Sequence, residues 1–387
     1  YITFDAIDLV DPSSNTGDAM MEWGYALMRA SAIDGTQNAT IKNCVVTLQK
    51  INTRSFGIYI ANMDTNGNVV VPADLNGQNS YNRIFGNTIS NIYKGIVVIS
   101  ASTTRDINNQ IGVVGENPNS VSDFGGGAVA SEGISCEGQI NVKINNNVVN
   151  GGAGTTGDVH GIIATLFGSS GLAQNYEISY NRITVTTDSS PIYIFGIRAQ
   201  ASADTVSIHH NIVENCAVSD ETSSFFALFH SSESTVDTTN ACYIYDNIVR
   251  NNSHSGNGST YLISVGGVNK NLLIRANQVY GNQRTGASGL MLCLCINPSS
   301  ILMNCESNLV YNNSIPNSSG FSESTLYGYL SSYKTTIENV FNNKIYNLSV
   351  GGSSLTTNLV YGIRSSPSAQ TAKNIYNNTI YGLSSTG

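Results

Sequence analysis

The chain has 387 residues, only 11% of them charged, and a formal net charge of −8. There is no basic stripe, which argues against a nucleic-acid or anionic-membrane partner, and no apolar run approaches the about 18 residues of a membrane-spanning helix. Length alone would allow two or three domains, but one repeat runs from end to end without a linker, so a single solenoid is expected over 1–387.

The N-terminal YITFDAIDL reads as a strand. The chain both begins and ends inside such patterns, so it is expected to be a segment of a longer polypeptide or to have its ends covered by neighbouring domains. The repeat itself is Ile-x-x-Asn-x-(Ile/Val)-x-(Asn/Gly). Weak copies start at Ile41, with Cys44 in the Asn place, and at Ile84. Residues 101–131 read as a loop excursion that contains a degenerate copy at Asn109 to Ile111, and smaller excursions are expected at 62–80, 314–324 and 351–358. Clean copies follow: INNNVVNG from Ile144, IHHNIVEN from Ile208, IYDNIVRN from Ile244, IRANQVYG from Ile274, VFNNKIYN from Val340 and IYNNTIYG from Ile375. Weaker ones start at Ile178 and Cys305. From Asn147 to Asn378 the repeat Asn returns with a mean spacing of 33, which gives about eleven coils.

Between turns the segments are four to six residues long, rich in Ile, Val and Tyr, alternate with period two, and are bounded by Gly, Asn and Ser. That is strand chemistry rather than the helical pattern of other repeats near this length. The fold class expected is all-β, a parallel β-solenoid. The Ile and Val point inward. The Asn sits at a bend, where its amide can bond backbone and the next coil's Asn as a ladder, and the last position takes Asn or Gly because both tolerate the left-handed conformation. A second strand with Gly-Ile character precedes each copy (GIYIA at 57, GIVVI at 95, GISCE at 133, GIRAQ at 196), so two sheets alternate, with room for a third, shorter one. At about 4.8 Å per coil the rod is roughly 50 Å long.

YITFDAIDL, NTISNIYKGI, INNNVVNGG and IYNNTIYGL resemble the secreted right-handed parallel β-helix proteins of Bacteroidota, within the pectate-lyase-like superfamily and associated with type IX secretion. The resemblance covers nearly the whole chain. It implies a right-handed helix and an extracellular or cell-surface location. It does not imply one function, since the fold carries lyases, hydrolases and inert stalks alike.

A sugar-cleaving β-helix needs clustered charge: a base beside Ca²⁺-holding carboxylates in a lyase, or two carboxylates in a hydrolase. Read along the position after Gly-Ile and the position two further on, no neighbouring coils supply such a pair. Glu137, Asp158, His160, Arg198 and His230 are the scattered catalytic candidates. The same reading leaves Val97, Ile163, Leu228, Ile263, Met291 and Leu330 facing out as an apolar strip. Loops could fold over it, another subunit or domain could pack on it, or the register is off by one. On the other sheet Tyr280, Tyr311, Tyr346 and Tyr381 form an outward ladder. A second column runs His209, Tyr245, Arg275, Glu306, Phe341, Tyr376. Tyr245, Arg275 and the ladder are candidates for glycan or partner contact, against cross-coil stacking as their structural role.

His209-His210 is not read as a metal site, because strand neighbours point to opposite faces and only Glu214 lies nearby. The seven cysteines have no metal or disulfide spacing and read as single buried thiols. Asp204-Thr205-Val206 and Asp237-Thr238-Thr239 resemble O-glycosylation sites of that lineage. The leading expectation is a non-catalytic extracellular stalk, fibre or adhesin without cofactor. Its partners would be neighbouring domains, sibling subunits or polysaccharide. The alternative is a polysaccharide lyase or glycoside hydrolase, the only case in which Ca²⁺ enters.

Overall fold

A computed structural model describes residues 1–101, 103–166, 175–189, 191–201, 203–219, 222–232, 241–287, 289–316, 323–332, 335–352, 357–366 and 372–386. Asp237 to Thr239, and parts of the expected excursions at 314–324 and 351–358, lie outside them. Each complete coil passes in turn through three parallel sheets, here A, B and C. One coil is Val142–Asn145, Asn147–Gly151 and Val159–Leu166. The next is Asn175–Ser179, Arg182–Thr187 and Tyr193–Ala201. Each strand pairs in parallel with its equivalent one coil on. The chain is therefore a parallel β-solenoid, with eleven strands in sheet C among the described residues.

The repeat motif straddles a corner rather than lying in one strand. Its first Ile ends sheet A, its second Ile or Val opens sheet B, and the Asn stands between them. From Asn87 through Asn119, Asn147, Asn181, Asn211, Asn247, Asn277, Asn308 and Asn343 to Asn378, each Nδ2 donates to the next coil's Oδ1 at 2.8–3.0 Å. The same Nδ2 donates to a carbonyl one coil back, as Asn211 does to Ile178 O and Asn247 to Ile208 O. A buried amide is thereby satisfied on each coil from Asn87 to Asn343, which is the condition for keeping it in an apolar core. The residue before the ladder Asn takes the left-handed conformation even where it is neither Asn nor Gly: Tyr180, His210, Asp246 and Ala276 have φ of 53–56°. Asn251, Gly281, Asn347 and Gly382, at the motif's last position, have φ of 52–67°. A shorter ladder, Asn252 to Asn282 to Asn313 at 2.8 Å, closes a further corner in sheet B.

Residues 101–131 are not an excursion. Gln110–Ile111 joins sheet A between Arg83–Phe85 and Val142–Asn145, and Asn119–Phe124 joins sheet B. The motif is hidden because eight positions, instead of three, separate the inward Ile111 from its ladder residue, Asn119. Asn109 has another role, giving its amide to Asn79 O and Gln139 Oε1. Residues 62–80 do leave the coil, carrying a short bridge Met63–Val69 and the 3₁₀ turn Leu75–Gly77. All seven cysteines are free and buried.

The register of sheet C corrects half of the apolar strip. Leu228 pairs with Ile197 and Ile263, and both Leu228 and Ile263 are fully buried in the core. Met291 pairs with Thr260 and Leu326 and is buried in the same core. The outward column is Tyr59, Val97, Ser135, Ile163, Arg198, Phe229, Ser264, Cys295, Leu330 and Arg364. Ala227, Leu262 and Cys293 stand where other coils have the glycine of Gly-Ile, so aligning on Gly slipped by one or more. Of the outward three, Val97 packs with Tyr59 under Met63 of the excursion, and Leu330 packs against a cluster of Leu292, Cys295 and Tyr327.

Candidate functional site

The outward face of sheet C gathers charge over four coils. The column just before the glycine runs Lys94, Glu132, His160, Phe195, Phe226, Tyr261. Two strand positions beyond the central column stand Ile99, Glu137, Thr165 and Gln200. Lys94 Nζ lies 3.0 Å from Glu132 Oε2. Arg198 donates from Nη1 to His160 Nε2 at 3.2 Å and from Nη2 to Gln200 Oε1 at 2.5 Å, with its guanidinium 4.9 Å above the Phe195 ring. His160 also stacks on Phe195 at 5.1 Å. Four of the five scattered candidates, Glu137, Asp158, His160 and Arg198, therefore belong to one surface. Lys94 and Glu132 are the members that sequence reasoning missed. Their signal is the residue that precedes each Gly of the Gly-Ile strand.

Electrostatics set distinct roles on this face. Since guanidinium can only donate, His160 Nε2 accepts and its proton sits on Nδ1. Burial, then the charges of Arg198 and Lys94, push the imidazole down to about 3, so it stays neutral. Its Nδ1 and Arg198 Nε are buried without a hydrogen-bond partner. Burial and then the neighbouring Glu132 charge push the Glu137 carboxyl up. Burial raises Asp158, opposed by the Tyr193 N–H at 3.2 Å and by Arg198. His230 does not join them. It points into the core, fully buried, with Nδ1 3.0 Å from Ala199 O and Nε2 3.3 Å from Asn269 Oδ1, and its role is structural.

Sheet A carries a groove of about 480 Å³, lined by Lys143, Asn175, Glu177, Ser207, His209 and Tyr245 among others. Glu177 holds it together: its Oε1 accepts from Asn145 Nδ2 and Ser179 Oγ at 3.2 Å, and its Oε2 lies 3.3 Å from Lys143 Nζ. The column from His209 through Tyr245 and Arg275 to Tyr376 is in register.

On sheet B the tyrosine ladder is present, with ring centroids 4.7, 5.1 and 4.9 Å apart from Tyr280 to Tyr381 and planes within 12°. Arg250 links Glu214 (2.7 Å) to the Tyr280 hydroxyl (3.0 Å) at its start. Ring faces within the ladder are occupied by one another, so what the ladder offers outward is ring edges and hydroxyls.

Among the described residues no group of three or more His, Cys, Asp or Glu is gathered as metal ligands, and no helix is long and apolar enough to cross a membrane. No family model, no curated protein and no solved structure matches the chain.

Proposed function

We infer that the chain is a non-catalytic structural and adhesive β-helix segment of a large surface or secreted protein, serving as a stalk, fibre or adhesin. The observation that carries this reading is that like side chains stack coil on coil on all three faces. They are Tyr280 to Tyr381 on sheet B, Phe341–Tyr376 and Asn304–Asn339–Asn374 on sheet A, and Phe195–Phe226–Tyr261 and Tyr327–Tyr361 on sheet C. Columns that satisfy one another stiffen a rod and present one repeating chemistry along it. Its partners are neighbouring domains, sibling subunits or a polysaccharide. An extracellular setting is supported by the Asn- and Ser-rich, Lys-poor sequence and by the resemblance to secreted β-helix proteins.

A second reading, a polysaccharide lyase or glycoside hydrolase, is favoured by the sheet C cluster. Lys94 and Arg198 would hold an acidic sugar, and Glu137, which keeps its proton to higher pH than usual, is fit to protonate a leaving oxygen. A depolymerisation screen separates the two. Purified protein is incubated with a polysaccharide panel, with and without Ca²⁺, while chain length and new reducing or unsaturated ends are followed. The first reading expects none. New ends that vanish in Glu137→Gln and Arg198→Gln would establish the second.

A further inference from the structure

Strand alternation would send His209 and His210 to opposite faces. His210, however, occupies the left-handed corner with φ of 55°, which cancels the alternation, and both imidazoles emerge outside the coil. Their Nδ1 atoms are 2.9 Å apart. Each ring is held by a neighbour from an adjacent coil: His209 stacks on Tyr245 at 4.7 Å and His210 on Tyr180 at 4.8 Å. The opposite nitrogens face carboxylates, His209 Nε2 at 3.8 Å from Glu177 Oε1 and His210 Nε2 at 3.9 Å from Asp246 Oδ2.

A neutral imidazole carries one N–H. At 2.9 Å the two Nδ1 atoms are joined by one shared proton, an N–H···N hydrogen bond between the imidazoles, while the carboxylates at 3.8 and 3.9 Å lie beyond hydrogen-bond reach of the Nε2 atoms. Both ring nitrogens thus aim at one point between them, where a cation can replace that proton. The order carboxylate, imidazole, cation is also the arrangement in which an outer carboxylate orients a metal-bound histidine. We propose that His209 and His210 form a two-imidazole site for a divalent transition-metal ion, with Cu²⁺ the favoured occupant and Glu177 and Asp246 orienting the rings. The separation carries the metal preference. Two nitrogens about 2.0–2.1 Å from one ion stand about 2.9 Å apart at the right angle of a tetragonal site, and about 3.3 Å apart at a tetrahedral angle. Copper also heads the affinity order for such donors. His210 is exposed, so water completes the coordination. Binding displaces the proton that the two Nδ1 atoms otherwise share, and no electron is transferred.

The test is a titration of the purified protein with Cu²⁺ in a non-chelating buffer, read by calorimetry and electron paramagnetic resonance. One tight equivalent with an axial spectrum split by two imidazole nitrogens is expected. His209→Gln and His210→Gln should each weaken binding tenfold or more, Asp246→Asn by a few-fold, and Zn²⁺ should bind more weakly than Cu²⁺. Equal affinity in wild type and in the double His variant would overturn the proposal. So would a wild-type spectrum with no more than one imidazole, a result that does not depend on any variant folding.

Discussion

Asn247 shows how much one side chain does in this fold. Its Nδ2 donates to Ile208 O, Tyr245 O and Asn277 Oδ1, while its Oδ1 accepts from the backbone and the amide of Asn211. Asn247→Ala orphans several buried groups at about 1–3 kcal/mol each. A loss of about 3 kcal/mol is expected, read as a lower urea midpoint with unchanged m-value. Two buried titrating groups make opposite pH signatures. Asp106 pairs with Arg29 at 2.5 Å, both fully buried, yet burial raises its carboxyl to about 6. A folded value above the unfolded 3.8 means that its contribution is full below pH 3.8 and is lost as pH rises through about 6. His160 runs the other way: depressed from 6.5 to about 3, its contribution is full above pH 6.5 and is lost as pH falls towards 3. Melting temperature against pH should lose the first slope in Asp106→Asn and the second in His160→Gln. An unchanged profile in either variant would contradict the corresponding assignment.

The strand scale explains why Gly-Ile recurs in sheet C. A Cβ on Gly133 would stand 2.3 Å from Val149 Cγ1 and 2.6 Å from the Gly161 carbonyl of the next coil. Gly133→Ala is therefore expected to cost about 2–3 kcal/mol. The same change at Gly266, whose nearest atom is 3.8 Å away, should stay within about 0.5 kcal/mol. Equal effects in denaturant melts would refute the packing argument. The tyrosine ladder allows a test of surface role against stiffening. Tyr311→Phe with Tyr346→Phe keeps the stack and removes two hydroxyls, so stability should hold while retention on a glycan column falls if the ladder is adhesive. Tyr311→Ala should cost about 1–2 kcal/mol through lost stacking alone.

At the scale of the whole rod, stability is a sum of coil-on-coil contacts, and each coil is edged by the next. Function then depends on which outward columns lie side by side. The apolar strip dissolves into Val97, Ile163 and Leu330, while an ionic face gathers on the same sheet. That face is where catalysis would be found, and the aromatic columns are where adhesion would be found. If the depolymerisation screen is negative, mutating the sheet A groove, for instance Tyr245→Ala, is the next step. Weaker polymer retention is expected under the adhesive reading.

Coil period, strand chemistry and the asparagine ladder were legible in the amino-acid order, because all three are local and recur with each turn: an inward Ile, a corner Asn and a Gly under a close carbonyl look the same every time. Lateral neighbourhood was not legible. The coil at Ile111 and Asn119 hid behind extra residues at its corner. The substitutions at Ala227, Leu262 and Cys293 erased the glycine that marks register. A left-handed corner turned His210 to the side of His209. Each depends on how the backbone bends between strands, and only the stacked coils decide which charges meet.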